Sequence, residues 1–308
     1  MEDYPRTLEE FEARFATDQA CRDYLVGLRW PAGFRCPRCQ HGRGWPVGAL
    51  MQCADCGYQA SLTAGTIFQD THKPLSLWFR AMWWVTSQKT GASALGLQRI
   101  LGLGSYRTAW TWLHKLRRAM VRPGRDRLAG RVEVDETYIG GVNEGQKGRP
   151  RPGASRKVLV VIAAEEDGQG IGRIRMRQIA AASAEQLHDF IADSIQPGSR
   201  VHTDGWNGYK GMTGFRHEAD FQKNDPELLP RVHRVASLLK RWLTGTHQGA
   251  VSHEHLNYYL DEFTFRFNRR KSQYRGKLFY RLLEQAIAVE PVPYRAIVKN
   301  GQDPDHNI

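Results

Sequence analysis

Two short cysteine pairs, Cys36-Pro-Arg-Cys39 and Cys53-Ala-Asp-Cys56, constrain this chain more than any other feature. At this separation two Cys-x-x-Cys pairs can bring four thiolates tetrahedrally around one zinc ion, which makes the segment a zinc ribbon. Each pair is too tight to staple much chain as a disulfide, and no secretory signal precedes them. Four cysteine ligands leave no open coordination position, so the expected role of the Zn2+ is structural, folding the ribbon rather than catalysing a reaction.

Charge and composition narrow the partners. The chain has 308 residues, and 44 Lys plus Arg against 32 Asp plus Glu give a formal charge of +12. A field of that sign favours a polyanion, and nucleic acid is the first candidate. A membrane is not expected, because no apolar stretch of about 18 residues exists and no amphipathic basic helix stands alone. Of five cysteines, four belong to the ribbon and Cys21 is left over. That usage fits a reducing compartment, and the expected location is cytoplasmic.

The hydrophobic period divides the chain into segments. Residues 1–30 read as a helical lead-in ended by Trp30-Pro31, and the ribbon fills 31–68. Residues 72–122 read as three helices, the first carrying Leu75, Trp78, Phe79, Met82 and Trp83. The second spans Ser93 to Leu101, and the third starts at Ser105 after Gly102-Leu-Gly104. Helix, glycine turn and basic helix suggest a helix-turn-helix, with Arg107, Lys115, Arg117 and Arg118 as candidate DNA contacts. A small helical packing unit with a solvated basic face is the competing reading.

After Pro123-Gly-Arg-Asp-Arg the period changes to short strands at 132–138, 157–164 and 171–179. A helix follows over 183–195, where Ser183 and Gln186 have capping-box spacing, and then a strand at 201–203. The tail is largely helical. Three meandering strands, a crossover helix, a further strand and terminal helices outline an α/β, ribonuclease-H-like fold over 128–288, with 289–308 as a C-terminal tail. Between the first two strands lies a Gly-, Pro- and base-rich loop in which Lys147 and Arg149 are candidate phosphate contacts.

Two strands each deliver an aspartate, Asp135 in Val132-Glu-Val-Asp135-Glu136 and Asp204 in Val201-His-Thr-Asp204. Two-metal phosphoryl transfer needs hard oxygen ligands converging from different strands to hold divalent ions about 3.5–4 Å apart. An aspartate in an apolar strand costs several kcal/mol unless it is paired or metal-bound. Glu133 and Glu136 flank Asp135 and are assigned to the opposite face, as supporting or solvated carboxylates.

The four cysteines, Val132-Glu-Val-Asp135-Glu136-Thr-Tyr138-Ile-Gly-Gly141, Thr203-Asp204-Gly-Trp-Asn-Gly-Tyr209 and the stretch from Val232-His233 through Leu239-Lys240 to Arg269-Arg270 together carry a likeness. The chain resembles bacterial insertion-sequence transposases that join an N-terminal zinc ribbon to a DDE-type domain, the ISXO2-like (IS1595) family. The likeness covers about residues 10 to 285. It implies binding of the ends of an insertion sequence, metal-dependent cleavage there, and attack of the freed 3′-hydroxyl on target DNA. It also implies Mg2+ or Mn2+ as catalytic ion and double-stranded DNA, both element ends and target, as partner. A homo-oligomer on DNA follows from the need to hold two ends together.

One position departs from the family's commoner pattern. The third ligand is usually a Glu seven residues before a Lys, and seven before Lys240 stands His233. Seven residues is close to two helical turns, so the two share a face. Imidazole serves Mn2+ better than Mg2+. The expected catalytic set is therefore Asp135, Asp204 and His233, with Lys240 on the DNA end. A surface histidine in an inactivated copy is the alternative, and with it a domesticated DNA-binding protein. Asp225, Glu227 and Glu262 are rival third carboxylates, although Glu262 also suits an ion pair with Arg266. Arg269 and Arg270, interleaved with Phe265 and Phe267, combine a phosphate grip with core anchors.

Overall fold

The computed structural model describes residues 2–122, 124–140, 157–220, 228–249 and 251–299. The chain divides into two compact units, Met1–Arg122 with Lys271–Lys299, and a second that holds Pro123–Arg270.

In the first unit the expected lead-in helix is two helices, α1 (Leu8–Arg14) and α2 (Asp18–Arg29). The break comes from Thr17, whose hydroxyl accepts from the Ala20 N–H and opens a new helix as an N-cap, just as Thr7 does for α1. The ribbon follows as an antiparallel sheet of β1 (Gly44–Val47), β2 (Leu50–Cys53) and β3 (Gln59–Ser61). Gly44 has to be glycine, because a Cβ there would lie 2.6 Å from the Gln52 carbonyl oxygen. Three helices come next, α3 (Leu75–Ser87), α4 (Ala94–Leu101) and α5 (Tyr106–Ala119). Ser93 caps α4, and Gly102 ends it in the left-handed conformation at φ 60°.

The second unit is a five-stranded sheet of β4 (Arg131–Ile139), β5 (Val158–Asp167), β6 (Gly170–Ile179), β7 (Arg200–Asp204) and β8 (Arg216–Asp220). Its order is β6-β5-β4-β7-β8, antiparallel among β4, β5 and β6 and parallel from β4 through β7 to β8. The edge strand β8 is not foreseen above, since Arg216-His-Glu-Ala-Asp has no apolar alternation. The crossover helix α6 (Ala184–Ser194) covers one face of the sheet, with Leu187, Phe190 and Ile191 packed on Val132, Val134 and Val161. Ser183 caps it, whereas Gln186 turns back to the N–H groups of Ala180 and Ala181, which alters the expected capping box. On the other face, α7 (Pro230–His247) and α8 (Leu256–Asn268) bury Val235, Leu239, Leu260 and Phe263 on Val160, Ile162 and Ile174.

The last helices, α9 (Arg275–Ala288) and α10 (Tyr294–Lys299), belong to the first unit. The expected segment 128–288 therefore stops at Arg270. The reason lies in the apolar face of α9, where the Phe279 ring meets those of Phe11, Phe15, Phe79 and Trp83 at centroid distances of 5.3, 5.7, 5.6 and 5.9 Å.

Candidate active site and zinc centre

The ribbon cysteines come from two knuckles of the same construction. The Gln40 N–H donates to the Cys36 carbonyl and the Cys36 N–H to that of His41; in the second knuckle Gly57 bonds Cys53, and Cys53 bonds Tyr58. Each turn needs a left-handed residue, supplied by Gln40 (φ 62°) and Gly57 (φ 68°). The four sulfurs all lie within 4.8 Å of one another, with Cys36 to Cys56 and Cys39 to Cys53 both at 3.6 Å. A tetrahedron of Zn–S bonds of about 2.3 Å separates its sulfurs by roughly 3.8 Å, so the cluster fits zinc. Burial opposes the Cys36 thiolate, yet N–H groups of Cys39 and Arg38 donate to it and the thiol is held down at about 7.

In the second unit, β4 carries Asp135 on the face covered by α7, since its register partner Ile162 belongs to that core. The Oδ1 of Asp135 accepts from the Glu136 N–H at 2.8 Å, and Oδ2 lies 3.2 Å from Nε2 of His233. The hydrogen bond to Asp135 pushes the His233 imidazole above its ordinary pKa. Partial burial opposes this, the negative charges of Asp135 and Glu133 reinforce it, and Lys240 opposes it.

Glu133 sets the position of His233. It is two residues before Asp135, so it shares the α7 face, and the opposite-face assignment is corrected: strand alternation separates neighbours, not residues two apart. Nor is it solvated, at 1% exposure. Its Oε2 accepts from the N–H groups of Arg231 (2.8 Å) and Val232 (3.0 Å), while Oε1 takes the Arg231 guanidinium at 2.8 Å. These N–H groups belong to the first turn of α7 and have no intrahelical partner. Pro230 opens that helix and Leu229 enters it at φ 55°, a conformation uncommon for leucine. Arg231 also donates to the carbonyls of Gly168 and Gly170 and pairs with Glu166 at 2.9 Å. Neither Glu133 nor Arg231 is among the expected site residues. The signal was the parity of Glu133 with Asp135. Glu136 does face away, accepting from the Tyr209 hydroxyl at 2.7 Å.

Asp204 ends β7, and its Oδ1 accepts from the Trp206 N–H at 3.1 Å. The parallel ladder pairs Val132 with Val201 and Glu133 with His202. Asp204 lies two residues past His202, the last residue of β7 paired with β4, and by alternation on the same face of the sheet as Asp135. Among the described residues, however, only the four cysteines form a group of three or more potential metal ligands within 4.8 Å of one another. Thus Asp135 and His233 meet, and Asp204 does not close on both.

Lys240 lies exposed on α7, two turns beyond His233. Glu262 is fully buried and accepts from Nε of Arg266 at 2.9 Å, the pairing weighed against its ligand role. Asp225, Glu227, Lys147 and Arg149 lie outside the described residues.

The expected DNA contacts separate by burial. Arg107 is exposed on α5, its guanidinium 4.2 Å above the Tyr294 ring, and Arg118 is half-buried. Lys115 donates to the Ile67 carbonyl at 3.4 Å and burial lowers its pKa. Arg117 is 2% exposed, which corrects its place among surface phosphate contacts: it lies on the packed side of α5 with Leu113 and Leu116. Arg269 and Arg270 stack on Phe265 and Phe267 at 4.1 and 4.0 Å, and Arg270 also donates to the carbonyls of Gly172 and Ile171. His253–His255 form a turn before α8, with the Ser252 hydroxyl 2.6 Å from His255 Nδ1.

Sequence comparison matches residues 127–268 to the ISXO2-like transposase domain and residues 16–59 to the transposase zinc-ribbon domain. A zinc ribbon in front of such a domain defines an insertion-sequence transposase. The chain belongs to the ISXO2-like (IS1595) transposase family. An uncharacterized protein in transposable element ISH50 of Halobacterium salinarum is 28% identical over 281 residues, covering 82% of this chain and 91% of that protein. Among solved structures, the Mos1 transposase paired-end complex with left transposon end is 12% identical and covers 76% of this chain and 82% of that one, at a TM-score of 0.27. The simian T-cell lymphotropic virus intasome complexed with a PP2A regulatory subunit reaches 0.34 at 14% identity, covering 59% and 70%. Overlaps this loose establish no common fold. Among the described residues no helix is long and apolar enough to cross a membrane.

Proposed function

We propose that this chain binds the ends of an insertion sequence and catalyses divalent-ion-dependent DNA cleavage and strand transfer on a ribonuclease-H-like sheet. The observation that carries the reading is the meeting of Asp135 and His233 at 3.2 Å, on a strand and a helix tied together by Glu133. An aspartate and an imidazole converging in this way supply two donors suited to Mn2+ or Mg2+, with Asp204 on the neighbouring strand as the third. Bound there, the ion would supply Lewis-acid stabilisation of the attacking and leaving oxygens at a phosphate.

The chain's own residues do the rest. Asp135 holds His233 in place through the contact between them, and the imidazole would have to be neutral to serve as a ligand. Lys240 presents an ammonium two turns along the same helix, where it would neutralise a DNA phosphate. The net charge of +12 favours the approach of DNA, and exposed Arg107 is the α5 side chain best placed to meet it. Joining two ends calls for a homo-oligomer assembled on DNA.

The test is Mn2+- or Mg2+-dependent cleavage of DNA carrying the element's own ends, comparing wild type with Asp135→Ala, Asp204→Ala, His233→Ala and His233→Glu. Loss of cleavage in all three alanine variants, with some activity kept by His233→Glu, is the expected result. Cleavage surviving His233→Ala would remove histidine from the set, and binding of the ends without cleavage by wild type would overturn the catalytic reading.

A further inference from the structure

We propose that His202 is a positioning residue for Asp204, as one member of a network of hydrogen bonds and ion pairs that spaces Asp135, Asp204 and His233 together. The proposal rests on the transposase reading and names what sets the spacing of the ligands in it.

The network crosses the sheet and ends on a helix. The Asp220 carboxylate of β8 lies 2.9 Å from His202 Nε2, and His202 Nδ1 lies 3.2 Å from the Arg131 guanidinium. Arg131 pairs with Glu166 Oε1 at 3.2 Å, and the same oxygen takes Arg231 at 2.9 Å. Arg231 then closes on Glu133 at 2.8 Å. Asp135 stands two residues past Glu133, Asp204 two past His202 and His233 two past Arg231. Each proposed ligand is therefore one short step of backbone from a side chain of the network.

Asp204 depends on it most. The ladder between β4 and β7 ends at the pair Glu133 and His202, whereas β7 stays paired with β8 as far as Asp204 and Asp220. The distance of Asp204 from Asp135 is thus inherited from β8, an edge strand whose side chains on this face are Arg216, Glu218 and Asp220. None of the three gives it an apolar hold on the sheet. His202 supplies the hold in polar form, 7% exposed and bonded on both sides.

Donor chemistry fixes the ring. A guanidinium has N–H donors and no acceptor, so the Nδ1 facing Arg131 accepts and the ring proton sits on Nε2, where it donates to Asp220. That bond is diagonal, because the register partner of Asp220 is Asp204 and that of His202 is Glu218. Two carboxylates opposite each other on neighbouring strands repel. His202 draws Asp220 back toward its own position, and the Asp204 carboxylate keeps the orientation given by the Trp206 N–H.

The experiment measures Mn2+ binding to the zinc-loaded full chain by the electron paramagnetic resonance of the free ion, counting the ion that Asp135→Ala fails to bind. Wild type is compared with His202→Leu, His202→Gln, Asp220→Ala and the double variant of His202→Leu with Asp220→Ala. Leucine keeps the buried volume and removes both bonds, whereas the glutamine amide offers an acceptor to Arg131 and a donor to Asp220. Groups that orient metal ligands change affinity by about 10–100-fold when removed. His202→Leu and Asp220→Ala should each weaken Mn2+ binding about tenfold or more. His202→Gln should recover most of the loss, and the double variant should bind no more weakly than the weaker single one. Asp220 is exposed, so Asp220→Ala tests the bond even where a change at buried His202 costs the fold. As a readout without added Mn2+, nitrogen NMR of the wild-type imidazole should show the Nε2–H tautomer at His202.

Unchanged Mn2+ affinity in Asp220→Ala, no recovery with glutamine, losses that add in the double variant, or an Nδ1–H tautomer overturns the role of His202. Mn2+ binding and end cleavage by the same wild-type sample would then leave the transposase reading standing. A wild type that binds no Mn2+ through Asp135 would overturn both.

Discussion

The Glu133 carboxylate accepts hydrogen bonds from both the backbone and the guanidinium of Arg231, and thereby clamps the first turn of α7 onto strand β4. Asp135 lies two residues along that strand and His233 two residues along that helix. The clamp therefore fixes the distance between the two side chains on which the proposed chemistry depends.

Glu133→Gln removes the charge and presents an N–H2 to helix N–H groups, leaving the Arg231 cation without its buried partner. Breaking one side of a buried pair is expected to lower stability by about 3–5 kcal/mol. Chemical denaturation should show that loss, and at a temperature where the variant stays folded end cleavage should fall more than tenfold. Zinc content should not change, because the ribbon lies in the other unit.

In the metal-free protein, His233 should titrate above its ordinary value, and Asp135→Asn should bring it back down. The sign follows from linkage: a raised folded-state pKa gives stability that is fully present below about pH 6.5 and is lost as pH rises through the raised value. With the His233 side chain 50% exposed, solvent screens the pair and the gain is small. NMR titration of the imidazole protons reads it directly, and an unshifted His233 in the wild type would disprove the pairing in solution.

Cys53→Ser should abolish stoichiometric zinc. Zinc supplies about 10–16 kcal/mol of apparent binding energy in small structural sites, and the three short ribbon strands cannot replace it with packing. Metal analysis should fall from one zinc per chain to none. The ribbon's β signals should collapse in an NMR spectrum, while those of the five-stranded sheet persist.

Arg117→Ala should act on stability rather than on DNA affinity. A buried arginine stem lost from α5 is expected to destabilise by about 2–3 kcal/mol. Arg107→Ala, by contrast, should cost no more than the stacking on Tyr294, about 0.5–1 kcal/mol, and reduce the salt dependence of DNA binding by about one counterion. Comparing thermal melts with binding at several salt concentrations separates the two.

The ribbon was legible because its ligand spacing is covalent arithmetic, and the central strands were legible because Val132, Val158 and Val201 lie in runs apolar enough to declare themselves. β8 was not, because an edge strand such as Arg216–Asp220 is held by its ladder rather than by side-chain alternation. Arg117 was misplaced because a basic residue on a helix reads as solvated until the packed side of that helix is known. The pairing of Asp135 with His233 was what the family resemblance implied, but the clamp at Glu133 joins residues 98 apart in sequence, and no local pattern announces such a bond.

Phe279 gives the order of assembly a direction. Its ring is buried among Phe11, Phe15, Phe79 and Trp83, so the N-terminal helices cannot finish their core until a segment from near the far end of the chain has left the ribosome. The sheet bearing Asp135 is translated completely before that happens. During synthesis the sheet can therefore close first, while the unit at the start of the chain waits with its aromatic cluster open.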